Sequence, residues 1–228
     1  MDIQALLLSM KLAFSVCAIL MVVGMPIAYW LSVSRWRWKF LVESIVAMPL
    51  VLPPTVLGFY VLVAFGSRSP FGRAYAALFG HGLAFTFAGL VFASVLYSLP
   101  FAVQPMAQAF ESVDRKLISA SAVLGASRAR TFFRIVLPLA RNGVIVAAVL
   151  SFAHTLGEFG VVLMVGGDIP GATRTVSIAI YDDVQALNYA AANTTALALL
   201  LVSFLALAVV SAVNRRAWRR PWNIASLQ

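Results

Sequence analysis

Charged residues and cysteine are both scarce in this sequence. Only 11% of its 228 residues are charged and 62% are hydrophobic, with a mean hydropathy of +0.93. Soluble domains carry about 25% charged and about 45–50% apolar residues, so the composition indicates a polytopic membrane protein. Cys17 is the only cysteine, which excludes an intrachain disulfide and a thiolate metal cluster. The two histidines, His81 and His154, are interpreted as structural or interfacial residues.

The sequence also lacks a phosphate-binding loop. Its three lysines, Lys11, Lys39 and Lys116, follow Met, Trp and Arg, so no glycine–lysine pair exists and a Walker-type P-loop is excluded. Any nucleotide that drives this protein must therefore be bound by another polypeptide. We expect that the chain itself is not an enzyme and that it does not require a cofactor or a metal. Only Glu158 lies deep in an apolar run, so a charged relay of the kind found in proton-coupled carriers is not expected.

Long apolar windows predict an all-α chain with five transmembrane helices in a single domain. A bilayer core requires about 20 apolar residues per helix. The segment 174–188 is too short and too polar for a sixth crossing, because it contains Asp182 and Asp183. We expect it to be an outer loop with a short re-entrant or interfacial helix. The predicted spans are 12–34, 44–66, 83–110, 142–166 and 193–213.

The positions of the basic residues predict the orientation. The net charge is +9, and thirteen of the seventeen Lys and Arg residues fall in the clusters 35–39, 115–141 and 215–220. The positive-inside rule places such clusters in the cytoplasm. With five spans, the N-terminus is then outside and the C-terminus cytoplasmic. The basic residues are not interleaved with aromatic residues as they are in nucleic-acid-binding proteins. We therefore expect the chain to be embedded in a lipid bilayer and not to bind nucleic acid.

Prolines interrupt the second predicted span near its start. Pro49, Pro53 and Pro54 lie within six residues, and each removes a backbone donor and clashes with the preceding turn. Carbonyl groups freed in this way are tolerated in a membrane only inside protein or beside water. Two interpretations remain open: a proline-rich helix start at the cytoplasmic interface, or a broken helix that lines a path. The candidate path residues are Pro53, Pro54 and Thr55.

A second candidate gate is the sequence LGEFG, which contains Gly157, Glu158 and Gly160. At 1.5 Å per residue, Glu158 lies about 24 Å along a core of roughly 30 Å. It is interpreted either as an interfacial carboxylate that reaches water or pairs with an outer arginine, or as part of a gate in which the glycines permit a bend. Arg174 is interpreted either as a residue that attracts an anion or as an ordinary solvated charge in a loop. The breaker-rich segments 66–73 and 166–171 are predicted to be turns.

A polar, basic insert separates the third and fourth predicted spans at about 113–139. Its sequence is VDRKLISASAVLGASRARTFFRIVLPL, and each of its arginines or lysines would cost roughly 2.5–3.5 kcal/mol at the bilayer centre. It is therefore predicted to be cytoplasmic. We expect one short helix over 114–124, a turn at Gly125, and a second helix over 127–136 that is ended by Pro138.

This insert resembles the coupling loop of bacterial ABC-importer permeases, written E-A-A-x3-G-x9-I-x-L-P. Ser119 stands where the motif has Glu and Ser121 where it has Ala, which weakens any expectation of a salt bridge to an ATPase but leaves docking by shape intact. The residues that carry this resemblance are Ser119, Ala120, Ser121, Gly125, Ile135, Leu137 and Pro138.

Together with LGEFG and the following GGDIPGATRT, the order of features is similar to the molybdate ABC-transporter permeases. The resemblance implies the type I permease fold in the inner (plasma) membrane. It also implies a homodimer, two copies of a cytoplasmic ATP-binding subunit, and a periplasmic or extracellular molybdate-binding protein. The expected function is to form the translocation path for molybdate.

Several alternatives remain open at this point. A tungstate or a sulfate or thiosulfate permease would have nearly the same sequence features. An ATP-independent channel or carrier would not need the coupling loop, and a non-transporting scaffold would leave both the loop and the broken second span unexplained. The basic insert is also compatible with an amphipathic helix that lies on anionic lipid.

Overall fold

The structure is a computed structural model that describes residues 2–218. Within that range it contains eleven α-helices and no strand, which confirms the all-α prediction. A 3-10 turn, Met48–Leu50, follows the second helix, and a π-helical turn, Phe132–Val136, joins the seventh helix to the eighth. The helices are α1 (Ile3–Val33), α2 (Lys39–Ala47), α3 (Pro54–Phe65), α4 (Pro70–Phe79), α5 (Phe87–Glu111), α6 (Arg115–Val123), α7 (Arg128–Thr131), α8 (Leu137–Leu156), α9 (Gly160–Gly166), α10 (Val176–Gln185) and α11 (Tyr189–Trp218).

Among residues 2–218, four helical segments are long and apolar enough to cross a membrane. They are α1, α5, the segment Arg128–Leu156 and Tyr189–Ala212 of α11. A fifth crossing is possible if Lys39–Leu50 and Pro54–Phe65 form one span, but these two parts meet at an angle of 108°. Helix α1 begins nine residues before the predicted start of the first span, because Asp2 caps it by accepting a hydrogen bond from the Ala5 amide.

The core lies between α1, α5 and α8. Leu12, Val16 and Leu20 of α1 are buried together with Val103 and Met106 of α5. In contrast, large apolar side chains of α11 are exposed, with Leu200 and Phe204 each 64% exposed. Extended apolar surface of this kind is expected where a helix faces lipid or another protein.

The second predicted span, 44–66, is not one helix. The chain leaves α2 through the 3-10 turn, and α3 starts afresh at Pro54 with Pro53 as its N-cap residue. Proline is compatible with a first helical position but not with a helix interior. The structure contains both predicted features, because Pro53 and Pro54 stand at the start of α3 and the second span is broken by a sharp bend.

The fourth predicted span, 142–166, is also wrong as a single helix. The helix begins at Arg128, passes through the π-helical turn and ends at Leu156, so Pro138 does not end it. The Leu137 amide bonds to the Phe132 carbonyl, five residues earlier, and this wider turn gives the Pro138 ring room within a continuing helix. After a break at 157–159, the separate short helix α9 follows.

The loops contain more helix than the sequence predicts. The segment 66–73 is not only a turn, because α4 starts within it: the Ser69 hydroxyl accepts a hydrogen bond from the Gly72 amide at 2.8 Å, and Pro70 occupies the first helical position. Helix α10 lies within 174–188, where a short helix is expected. It is held against α1 by the Val176 amide, which donates to the Ser9 hydroxyl at 2.8 Å.

Candidate functional site

The first candidate site is the helical hairpin formed by residues 113–131, which we call the elbow. The carboxylate of Asp114 accepts a hydrogen bond from the Lys116 amide at 2.8 Å and so caps the start of α6. Helix α6 ends in a Schellman motif, in which the Gly125 amide bonds to the Ala122 carbonyl and the Ala126 amide to the Ser121 carbonyl, each at 3.0 Å. Gly125 adopts a φ of +77°, a conformation that side chains disfavour.

The elbow presents an apolar tip to its surroundings. Val123 and Leu124 are 88% and 86% exposed, and we did not identify them from the sequence, although an apolar pair directly before the Gly125 turn was a usable signal. Of the predicted coupling residues, Ser119 and Ala120 are also exposed on α6. Ile135 and Leu137 are half-buried and Pro138 is exposed, all three on the long helix rather than in the elbow.

A buried hydrogen bond joins the two arms of the elbow. The hydroxyl oxygens of Ser121 and Thr131 are 2.8 Å apart, and each residue is only 6% exposed. Ser121 is the position at which the sequence departs from the Ala of the coupling-loop motif, so the departure is matched by a specific partner. Directly after Thr131, the Phe132 ring contacts Tyr29 of α1 at 4.8 Å and Phe110 of α5 at 5.8 Å between ring centroids.

The second candidate site is a cleft of about 630 Å³ between α3, α5, α8 and α9. It brings together five of the six predicted path residues, although they come from two distant parts of the chain. The sixth, Pro53, is the N-cap residue directly before them. The predicted path residues that line the cleft are Pro54, Thr55, Gly157, Glu158 and Gly160.

Helices α3 and α9 approach each other closely at this cleft. A Cβ atom placed on Gly160 would lie 2.8 Å from the Cβ of Pro54 and 3.6 Å from the Cγ2 of Thr55. Real Cβ atoms do not come as near as the first of these distances, so a side chain at 160 requires the two helices to separate. The absence of a side chain at Gly160 thus permits the contact of the two broken helices.

Glu158 occupies the helix break and is buried, with only 5% of its surface exposed. Among the described residues, neither of its carboxylate oxygens has a hydrogen-bond partner. Ser94 of α5, whose hydroxyl is likewise buried without a partner, lies beside this carboxyl group. The interpretation of Glu158 as an interfacial carboxylate that reaches water or pairs with an outer arginine is therefore wrong. The break at Gly157 turns the chain, so that residue 158 points into the protein instead of continuing outward.

The cleft also contains residues that we did not predict as functional. His154 lines it together with Tyr97, and the His154 Nδ1 atom is 2.9 Å from the Ser98 hydroxyl, which is also 2.9 Å from the Thr155 hydroxyl. The Phe101 ring stacks on the imidazole at a centroid distance of 3.9 Å. The closeness of His154 to Glu158 in the sequence was a usable signal, although the two residues share no helix face because α8 ends at Leu156. In the part of the chain that the structure describes, no group of three potential metal ligands occurs.

Arg174 does not present a free positive charge. Its guanidinium group lies 2.5 Å from the Asp168 carboxylate and 3.1 Å from that of Asp182. The hydrogen bond from Arg174 lowers the pKa of Asp168. Burial, followed by the proximity of Asp168, raises the pKa of Asp182. Because two carboxylates surround one guanidinium, this residue ties the 167–175 loop to α10 instead of attracting an anion.

Comparison with known proteins identifies the family of this chain. The family described as binding-protein-dependent transport system inner membrane component matches residues 21–219. The chain belongs to this family. It is 52% identical over 206 residues to the molybdenum transport system permease protein ModB of Azotobacter vinelandii, covering 90% of this chain and 91% of that protein. Its identity to ModB of Escherichia coli K12 is 41% over 182 residues, covering 80% of each.

Solved structures show the same fold at low sequence identity. A bacterial alginate ABC transporter, in complex with an alginate-bound periplasmic protein, aligns with a TM-score of 0.75 at 16% identity, covering 95% of this chain and 79% of that one. The inward-facing methionine ABC transporter MetNI aligns with a TM-score of 0.71 at 18% identity, covering 93% and 95%. The protein is thus a multi-pass inner-membrane component of a transport system with the helical fold of ABC-transporter permeases.

Proposed function

We propose that this chain is the permease subunit of an ATP-driven importer and forms the membrane path for molybdate. The observation that carries the proposal is the 52% identity, over nine-tenths of the chain, to a protein named as a molybdenum transport permease. We further infer that two copies of the chain form the path, with two cytoplasmic ATPase subunits and an external molybdate-binding protein.

The surface of the elbow supports the proposal that a cytoplasmic ATPase subunit binds to this chain. Its exposed tip, Val123 and Leu124, is apolar, and its flanks carry Arg115, Lys116 and Arg128. An apolar tip with a basic surround is suited to a cleft in a soluble partner rather than to the hydrocarbon of the bilayer. The small residues Ser119 and Ala120 allow α6 to approach such a partner closely.

The long helix Arg128–Leu156 supports mechanical coupling. It begins in the elbow and ends beside Gly157 at the cleft, and a helix of its length spans about 43 Å. A displacement of the elbow by two ATPase subunits is therefore passed along one continuous helix to the cleft. Rigid-body movement of packed elements is a common means of switching access.

The proposed orientation follows from the basic clusters. The elbow and residues 35–39 lie on the cytoplasmic side, and the N-terminus outside. The third cluster, 215–220, reaches beyond the described residues at 219 and 220. In this orientation Pro53, Pro54, Thr55, Gly157, Glu158 and Gly160 form the path or its gate, and Ile135, Leu137 and Pro138 follow the elbow into the membrane.

The test is uptake of radioactive molybdate by a strain that lacks this chain. Restoring the chain is expected to restore uptake, and excess tungstate is expected to compete more strongly than sulfate. Molybdate uptake that is unchanged by the deletion would overturn the proposal, and dominant competition by sulfate would reassign the substrate. Liposomes that contain the purified chain alone are expected to show no flux, since steady flux without an ATPase indicates a channel.

A further inference from the structure

His154 projects from the long helix into the cleft and is fixed there by two neighbours on α5. It lines the cleft shortly before α8 ends at Leu156. Its Nδ1 atom is 2.9 Å from the Ser98 hydroxyl, and the Phe101 ring stacks on the imidazole at a centroid distance of 3.9 Å. A rotation of the imidazole by half a turn would carry Nδ1 away from Ser98. The two contacts therefore define the direction in which each ring nitrogen points.

The second ring nitrogen, Nε2, faces the open space of the cleft. It has no hydrogen-bond partner among the described residues, yet it is not one of the side-chain nitrogen and oxygen atoms that are buried without a partner. His154 as a whole is half-buried. Because Nδ1 is turned towards Ser98, Nε2 is the ring nitrogen that a small ion in the cleft can reach.

A count of hydroxyl hydrogens determines which ring nitrogen carries the proton. Nδ1 and the hydroxyl groups of Ser98 and Thr155 form a row with two contacts of 2.9 Å. The two hydroxyl hydrogens fill these contacts if Thr155 donates to Ser98 and Ser98 donates to Nδ1. A proton on Nδ1 would leave one hydrogen of the row unpaired, although Ser98 and Thr155 are only 0% and 2% exposed. Nδ1 is therefore the acceptor, and Nε2 carries the hydrogen of the neutral ring.

The lining of the cleft offers hydrogen-bond donors to an anion without opposing it with a negative charge. Tyr97 and the exposed Thr55 add hydroxyl groups to the lining. Both carboxyl oxygens of Glu158 are buried beside Ser94 and do not face the cleft. Proteins bind oxyanions through N–H and O–H donors, and neutral donors hold them less firmly than charged ones. Such a lining suits an ion in transit, which must leave as well as enter.

We propose that His154 contacts the transported anion, and that Ser98 and Thr155 hold its imidazole as the tautomer that donates from Nε2 to a tetrahedral oxyanion. This inference rests on the proposed function and adds the residue of this chain that meets the ion in the cleft. Ser98 and Thr155 act through His154 and are positioning residues. Because Ser98 belongs to α5 and His154 to the long helix, a shift of the long helix against α5 separates the hydroxyl from Nδ1 and frees the ring.

The first experiment replaces the histidine in the complete transporter, reconstituted with its ATPase subunits and binding protein. In His154→Gln the amide nitrogen can occupy the place of Nε2, and the transport rate is expected to fall by no more than about threefold. In His154→Asn the shorter side chain reaches only the place of Nδ1. Its rate is expected to fall about tenfold or more, as for the loss of a hydrogen bond to a charged ligand. Equal rates in the two variants would overturn the proposal.

A third variant separates hydrogen bonding from packing. His154→Phe keeps an aromatic ring that can stack on Phe101 but has no donor, so its transport rate should resemble that of His154→Asn. Transport by His154→Phe at the rate of the unaltered chain would overturn the proposal. Co-purification of the ATPase shows that each variant assembles.

His81→Asn is the matched control, because His81 is the other histidine of the chain and is exposed, outside the cleft lining. Transport by this variant should equal that of the unaltered chain. A loss as large as that in His154→Asn would show that the effect is not specific to the cleft and would contradict the assignment.

A double-mutant cycle tests the positioning role of Ser98. Ser98→Ala removes the donor to Nδ1 and is expected to reduce transport several-fold when His154 is present. The same change should have little further effect in the His154→Gln background, because an amide has no ring tautomer for Ser98 to select. Losses of equal size in both backgrounds would show that Ser98 acts only through packing and would overturn its role as a positioning residue.

Failure of this inference is distinguishable from failure of the proposed function. If the unaltered complex moves sulfate but not molybdate, the substrate assignment fails, while the Gln and Asn variants can still be compared with sulfate, which is also a tetrahedral dianion. If the complex moves molybdate but these variants do not differ, only the assignment of His154 fails. If the complex moves neither anion, both proposals fail.

Discussion

The elbow and the cleft lie at opposite ends of the long helix Arg128–Leu156 and are built in opposite ways. The elbow is exposed and its polar groups are bonded to near neighbours in the chain, as in the Asp114 cap and the Ser121–Thr131 pair. The cleft is assembled from residues about one hundred positions apart, and its acid, Glu158, has no partner among the described residues. A surface that docks needs a stable shape, whereas a gate needs groups that are free to change partners.

The largest effect is expected at the elbow, from Gly125→Pro. Proline cannot adopt the φ of +77° at this position and removes the amide that bonds to Ala122. The turn then cannot form, and we expect ATPase co-purification and molybdate uptake to be lost while the protein still inserts in the membrane.

Gly80→Pro is the matched control for this change. Gly80 ends α4 with a φ of +76°, and a Cβ atom at this position would have no neighbour within 4 Å, so proline imposes the same backbone strain away from the elbow. ATPase co-purification is expected to survive in Gly80→Pro. If both variants lose the ATPase equally, general misfolding and not the elbow explains the effect.

The intermediate effect is expected at the cleft, from Gly160→Leu. Its side chain would collide with Pro54 and force α3 and α9 apart, a type of overpacking that costs about 1–3 kcal/mol. We expect transport to fall about tenfold, because a free-energy cost of about 1.4 kcal/mol lowers tenfold the population in which α3 and α9 are in contact. The ATPase should still co-purify, in contrast to Gly125→Pro.

Gly82→Leu provides the comparison, since nothing lies within 4 Å of a Cβ atom at Gly82. Transport by this variant should equal that of the unaltered chain. Should Gly160→Leu release the ATPase, the division of labour between the elbow and the cleft is incorrect.

The smallest effect is expected from the hydrogen bond inside the elbow. Ser121→Ala leaves the buried Thr131 hydroxyl without this partner, at a cost of about 1–3 kcal/mol. We expect the ATPase to remain bound but less molybdate to be transported per ATP hydrolysed, because α6 is no longer fixed to the long helix. The measurement is the ratio of transport to hydrolysis in proteoliposomes.

Thr131→Ser keeps the hydroxyl and should leave the ratio of transport to hydrolysis unchanged. In the double variant, Ser121→Ala with Thr131→Val, this ratio should fall little further than in Ser121→Ala alone. Independent, additive losses in the double variant would show that the two hydroxyls do not act as a pair.

The elbow was largely predictable because its structure is local. Capping by Asp114, the turn at Gly125 and the basic flanks all follow from residues within a few positions of one another. The continuation of the helix through Pro138 was not predictable, because it depends on a π-helical turn that is stabilised by packing of Phe132 on α1 and α5. The exposed tip at Val123 and Leu124 was missed because apolar residues are ordinarily assigned to a core.

Composition alone determined that the protein lies in a membrane, since hydrophobicity is a property of the residues themselves and does not depend on how they pack. Only the tertiary structure decided that the broken helices at Pro54 and Gly157 meet at one cleft and that Glu158 turns inward to Ser94. Prolines and glycines state where a helix can break, but the direction taken after a break depends on packing against residues far away in the chain.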